Sequence, residues 1–157
     1  MRYINLRDLE ISRIGLGAMG MSVLRELNIG LVPFAPLGHG FLTGRIRSTD
    51  GFKEGDFRHG NPRFTGENFQ HNLLLADEVQ TVAAQAGATP AQVALAWLLA
   101  QGDDIAPIPG TQRVHRVEEN TAADAVELTA EQLAQLNALP PAAGETHTEA
   151  GRQLLER

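Results

Sequence analysis

A chain of 157 residues with 43% hydrophobic and 20% charged content has the composition of one ordinary folded domain able to bury a core, which excludes disorder as its general state. A net charge of −6 offers no basic field for a polyanionic backbone, so nucleic acid is excluded as a partner. Cysteine is absent, which removes disulfides, thiolate catalysis and cysteine-ligated metal together, and no apolar run approaches the length of a membrane span. The amino terminus is broken by polar residues before any signal-like core develops, so the expectation is a cytoplasmic protein with no membrane partner.

In chain order, short strand-like runs are each followed by helical patterns, an alternation that predicts the α/β class. Residues 9–21 read as an apolar strand running into glycines, and residues 23–28 as a short helix or the tail of one. Residues 29–35 have the continuous apolarity of a strand buried on both faces, bounded by Pro36 and Gly38. From Phe41 to Thr65 there is no sustained periodicity, and a structureless stretch of about 25 residues is long enough to be read as a lid. Leu75, Val79, Val82, Ala83 and Ala86 then share one helical face, and Gly87 supplies a left-handed stop. Thr89, Pro90 and Gln92 form a capping-box start for a buried helix ending at Gly102. Residues 105–110 are apolar, but Pro107 and Pro109 demote them as a sheet strand and suit the exit of a strand into a binding loop. Residues 114–123 read as helical. Thr129 and Gln132 cap a last helix aligning Leu133, Leu136 and Leu139, and residues 140–157 read as a flexible tail.

Gly15, Gly17 and Gly20 match the dinucleotide fingerprint G-x-G-x-x-G, but the pattern needs a full helix and then a strand ending in an acid. The helix here is too short and the strand ends in Phe34-Ala35-Pro36, so these glycines are read as serving a sharp turn or a close ligand approach. The five histidines, His39, His59, His71, His115 and His147, lack metal-ligand spacing, and no metal site is expected.

Two segments carry a resemblance. Residues 34–44, Phe-Ala-Pro-Leu-Gly-His-Gly-Phe-Leu-Thr-Gly, are similar to the stretch after the seventh barrel strand of the aldo-keto reductase family. Residues 108–120, Ile-Pro-Gly-Thr-Gln-Arg-Val-His-Arg-Val-Glu-Glu-Asn, resemble that family's adenosine-phosphate clamp, and residues 3–20 resemble its bottom hairpin and first barrel strand. The resemblance implies NADP(H) as cofactor. Ala35, Leu37, Gly38 and Gly40 would wrap the pyrophosphate, with Gly38 and Gly40 leaving N–H donors unobstructed in an anion nest; the family has serine where this chain has Ala35. Gly110, Thr111 and Arg113 would bind the 2′-phosphate at a helix amino terminus, where dipole and guanidinium both favour an anion. Arg116 and Asn120, four apart on one helical face, would meet the adenine, with Glu119 beside them. Gly17, Ala18 and Met19 would lie near the nicotinamide ribose.

The match breaks between Ser22 and Val23, where strands two to six of the family's barrel are missing. The implied fold is an incomplete (β/α)8 barrel of about three strands with carboxyl-terminal helices. Residues 1–22 form its first piece and residues 23–139 the piece with the nucleotide loops. A whole barrel takes about 250 residues. Carbonyl reduction needs a proton donor, which the family supplies as a tyrosine tuned by lysine with aspartate and histidine nearby, all in the missing region. The sole tyrosine, Tyr3, would sit in the bottom hairpin, and the sole lysine, Lys53, in the lid as a solvated charge. No catalytic residue is expected in this chain. Three readings follow: an active NADPH-dependent reductase of aldehydes or ketones, a non-catalytic nucleotide-binding remnant, or a truncated interaction module. Exposed strand edges would favour homo-oligomers.

Overall fold

The computed structural model describes residues 3–6, 9–12, 21–27 and 29–148. Gly15, Gly17, Ala18, Met19 and Gly20, on which the first-strand and ribose expectations rest, lie outside the described residues. An antiparallel hairpin pairs β1 (Tyr3–Leu6) with β2 (Leu9–Ser12), Tyr3 opposite Ser12, so Tyr3 stands in the hairpin as expected. Helix α1 (Met21–Glu26) runs through Ser22 and Val23 without a break.

The central element is α2 (Gly66–Ala86), 21 residues long, which begins where the sequence pattern placed it and ends at Gly87 with φ 64°. Its chain then turns by 89° into α3 (Pro90–Leu99). The turn is fixed chemically. The Thr89 hydroxyl accepts from the Gln92 N–H at 3.2 Å while the Gln92 side chain accepts from the Thr89 N–H at 2.9 Å, satisfying two amides that a helix start otherwise leaves orphaned. Thr129 and Gln132 repeat the device at the start of α5 (Ala130–Asn137). One core cluster gathers Val79, Val82 and Ala83 of α2, Val93 of α3 and Leu136 of α5, and the Trp97 indole donates to Asn137 at 2.8 Å across the α3–α5 seam. Helix α4 (Val114–Thr121) is docked onto α3 by a 3.1 Å bond from the Gln92 side chain to the Glu119 carbonyl.

The stretch read as a lid is part of the core. Three 3-10 turns (Gly38–Thr43, Phe57–Gly60, Pro62–Phe64) carry Phe41 and Phe64 into a second cluster with Phe69 and Ala76 of α2. The Phe41, Phe52, Phe64 and Phe69 rings meet edge to face at 5.4–5.8 Å. Aromatic side chains spaced irregularly along the chain can converge in this way without leaving any periodic signal.

Two further expectations are corrected. Residues 140–148 are not a loose tail: buried Asn72 donates to the Ala143 carbonyl at 2.9 Å and accepts from the Ala143 N–H at 2.8 Å. Asn61 donates to the Thr146 carbonyl and Arg63 to that of Gly144. The backbone is held by amide side chains rather than by an apolar pattern, so hydropathy gave no sign of it. Residues 29–35 are not buried on both faces. They form a short parallel pair with residues 105–108 through bridges Leu31–Ile105 and Phe34–Ile108, and only one face is covered. The segment demoted for its prolines therefore does pair. Ala106 and Ile108 donate to Leu31 and Pro33, so Pro107 sits at the outward position where no donor is required.

Candidate functional site

The loop after residue 34 and the loop before α4 leave the same end of the parallel pair and enclose a cleft of about 700 Å³. Ala35, Leu37 and Gly40 line one wall, and Gly110, Thr111, Arg113, Arg116 and Asn120 the other. Gly38 and Glu119 are not on the walls: Gly38 faces a smaller cavity with Phe41 and Phe64, and Glu119 lies behind Arg116.

The first wall is built on unusual backbone. Ala35, Gly38, His39 and Gly40 have φ of 46°, 56°, 56° and 92°, so two residues with a Cβ occupy left-handed space at a cost of about 1–2 kcal/mol each. Gly38 and Gly40 were expected to leave their N–H groups open. Instead those amides close turns onto the Ala35 and Leu37 carbonyls at 2.9 and 3.0 Å. The amides of Ala35, Leu37 and His39, all on the cleft wall, have no hydrogen-bond partner among the described residues. Strained turns that free alternate amides are a common means of cradling an anion.

The second wall is the start of α4. Arg113 is its N-cap, but no side chain caps it; the Thr111 hydroxyl accepts from the Arg113 N–H at 3.2 Å instead. Among the described residues that hydroxyl donates to nothing, and the Val114 and His115 amides, at the positive end of the helix dipole, have no partner. The Arg113 side chain is exposed and forms no ion pair among the described residues. Arg116 is paired with Glu119, one turn on. Burial pushes the Glu119 carboxyl up, but hydrogen bonds from Thr89 and Arg116 and the charge of Arg45 outweigh it and hold the group below its usual range. Glu119 thus stays ionised and fixes the guanidinium at the cleft edge.

The structure adds wall residues that sequence reasoning missed: His39, Thr43, Arg45, Ile46 and Arg58. Arg45 directly follows Thr43 and Gly44, and a cation next to a glycine-rich loop was a usable signal. Arg58 carried none, being brought in by its ion pair with Asp56 at 2.6 Å and its 4.4 Å stacking on Phe52. The hydrogen bond from the Arg58 side chain holds the Asp56 carboxyl down to about 2. Burial, together with the charges of His147, Arg58 and Arg63, lowers the His39 pKa, so its imidazole is neutral at pH 7. In a chain of net charge −6, a cleft whose walls carry four arginines and only two partnered carboxylates beside them is a local anion site. Tyr3 lies in the hairpin and Lys53 is not on the cleft walls.

Residues 19–140 match the family model of the aldo/keto reductases. The chain is 53% identical over 122 residues to aldo-keto reductase yakc [NADP(+)] of Schizosaccharomyces pombe, covering 78% of this chain and 35% of that protein. It is 39% identical over 132 residues to aldo-keto reductase str7 of Strobilurus tenacellus, 84% of this chain and 38% of that protein. Among solved structures it resembles a glycerol dehydrogenase from Gluconobacter oxydans, with TM-score 0.69 and 24% identity over 76% of this chain and 36% of that chain. That neighbour is a (β/α)8-barrel protein, and the chain spans little more than a third of the length of these relatives. Matched over most of its length by the family model and by these relatives, the chain belongs to the aldo/keto reductase family of oxidoreductases.

Proposed function

We propose that the chain is a nucleotide-holding part of an NADP-dependent aldo-keto reductase, binding NADP(H) by its adenosine and phosphate groups without reducing carbonyls by itself. The observation that carries this reading is the convergence, in one cleft, of two independent anion-binding devices. The Leu37 and His39 amides with Arg45 suit a pyrophosphate. Thr111, Arg113 and the free amides of α4 suit a 2′-phosphate. Arg116, pinned by Glu119, offers a planar face to the adenine, and Asn120 offers an amide to its edge. The name of the fission-yeast relative includes NADP(+), in agreement with the phosphate chemistry of this wall.

Bound NADPH supplies a hydride, but reduction also needs a proton for the developing alkoxide. No tyrosine or lysine lines the cleft, and His39, neutral and half-buried, is a poor acid at pH 7. The chain alone is therefore expected to bind nucleotide without turnover. Calorimetric titration tests the first half: the chain should bind NADPH more tightly than NADH, and Arg113→Glu should remove at least about tenfold of NADPH affinity while changing NADH binding little. Equal loss for both nucleotides would contradict the assignment of Arg113. Consumption of NADPH with a panel of aldehydes and ketones would contradict the second half.

A further inference from the structure

Helix α4 presents Arg116 and Asn120 to the cleft, yet none of its side chains is buried against this chain. Val114 and Val117, its apolar residues, are 76% and 50% exposed, so packing within this chain does little to fix how the helix is turned about its axis. Its orientation then depends on polar ties, and Gln92 of α3 supplies one.

Gln92 is the third residue of α3 and uses both ends of its side-chain amide. The oxygen accepts from the Thr89 N–H at 2.9 Å, and the nitrogen donates to the Glu119 carbonyl at 3.1 Å. In the last turn of α4 the Ala122 N–H serves the Glu118 and Asn120 carbonyls, and the Glu119 carbonyl between them takes the Gln92 amide. The peptide anchored in this way joins Asn120 to Glu119, whose carboxylate pins Arg116. One side chain therefore fixes the start of α3 and the end of α4 together. Gln132 makes the same capping box at the start of α5, with bonds of the same 2.9 and 3.2 Å, but among the described residues its amide nitrogen bonds to no other element. The tie to α4 is thus an addition to the box and not a part of it.

We propose that Gln92 is a positioning residue of the nucleotide site, setting the rotation of α4 so that Arg116 and Asn120 meet the adenine. The role rests on the NADP(H) reading and falls to a residue that does not line the cleft.

Two substitutions separate the tie from the cap. Gln92→Glu keeps an acceptor for the Thr89 N–H, as glutamate does in other capping boxes, and removes the donor to Glu119. Gln92→Met removes both bonds without adding charge. The same substitutions at Gln132 are the comparison, because they alter a box that carries no tie to α4. Calorimetric titration of the full chain with NADPH should show a loss of about fivefold or more in affinity for both Gln92 variants, and of less than about twofold for both Gln132 variants. In an Arg116→Ala background Gln92→Met should cost less than it does in the wild type, because a group it positions is gone. Without nucleotide, amide hydrogen exchange at residues 117–121 should be faster in the Gln92 variants than in the wild type, with that of α2 unchanged. Gln92 variants that bind NADPH as the wild type does, a loss confined to Gln92→Glu, an equal loss with and without Arg116, or unchanged exchange in α4 would each overturn the proposal and leave the nucleotide reading in place. A folded wild-type chain that binds no NADPH would overturn that reading and the role of Gln92 with it.

Discussion

His39 combines two properties that seldom coincide in a loop residue: a left-handed backbone with a Cβ, and an imidazole beside His147, Arg58 and Arg63. Its lowered pKa has a consequence for stability. A base whose folded pKa lies below its unfolded value of 6.5 binds protons more readily in the unfolded chain, so stability falls as pH drops through and below 6.5. The melting temperature is expected to fall between pH 7.5 and pH 5.5, and to fall less in His39→Asn. Asparagine tolerates positive φ and does not titrate; an identical slope in both proteins would contradict the assignment. Asp56 acts in the same sense in a lower window: held down to about 2 by Arg58, it contributes stability that is fully present above its usual value near 3.8 and is lost as pH falls through about 2. The cleft residues Thr111, Arg113, Arg116 and Asn120 were legible in sequence because a helix start followed by i, i+4 spacing has fixed geometry. Which amides of the glycine loop stay free was not legible. That depends on φ values at Ala35 and His39, where the residue type predicts ordinary backbone.

The helical elements were the most readable. Helices α2, α3 and α5 follow from a period and a cap, and each cap can be tested alone. Thr129→Ala should cost about 1 kcal/mol in urea denaturation. Thr89→Ala should cost more, because the Thr89 side chain also helps to hold the Glu119 carboxyl ionised beside Arg116. Equal losses would show that the Thr89–Glu119 link carries no energy. Segments held by other means were not readable: the aromatic cluster around Phe64 has no periodicity, and residues 140–148 are fastened by Asn61, Arg63 and Asn72 through their backbone. The parallel pair was misread in both halves for one reason. A strand's partners decide whether its prolines and apolar faces are tolerated, and partners distant in sequence leave no local mark.

At the scale of the whole molecule, helices and an arginine-lined cleft are assembled around a pair of short parallel strands exposed on one face. The two core clusters lie along successive halves of α2, Phe69 and Ala76 in one and Val79, Val82 and Ala83 in the other. The groups lining the cleft, among them Arg45, Arg58, Arg113 and Arg116 with the Thr111 side chain, suit an anion. The most direct test of the central claim is a calorimetric titration of the purified chain with NADPH, with NADH under the same conditions as the comparison. The account predicts saturable binding of NADPH at one site, tighter than that of NADH. A folded chain that binds neither nucleotide, or that binds both equally, would contradict it.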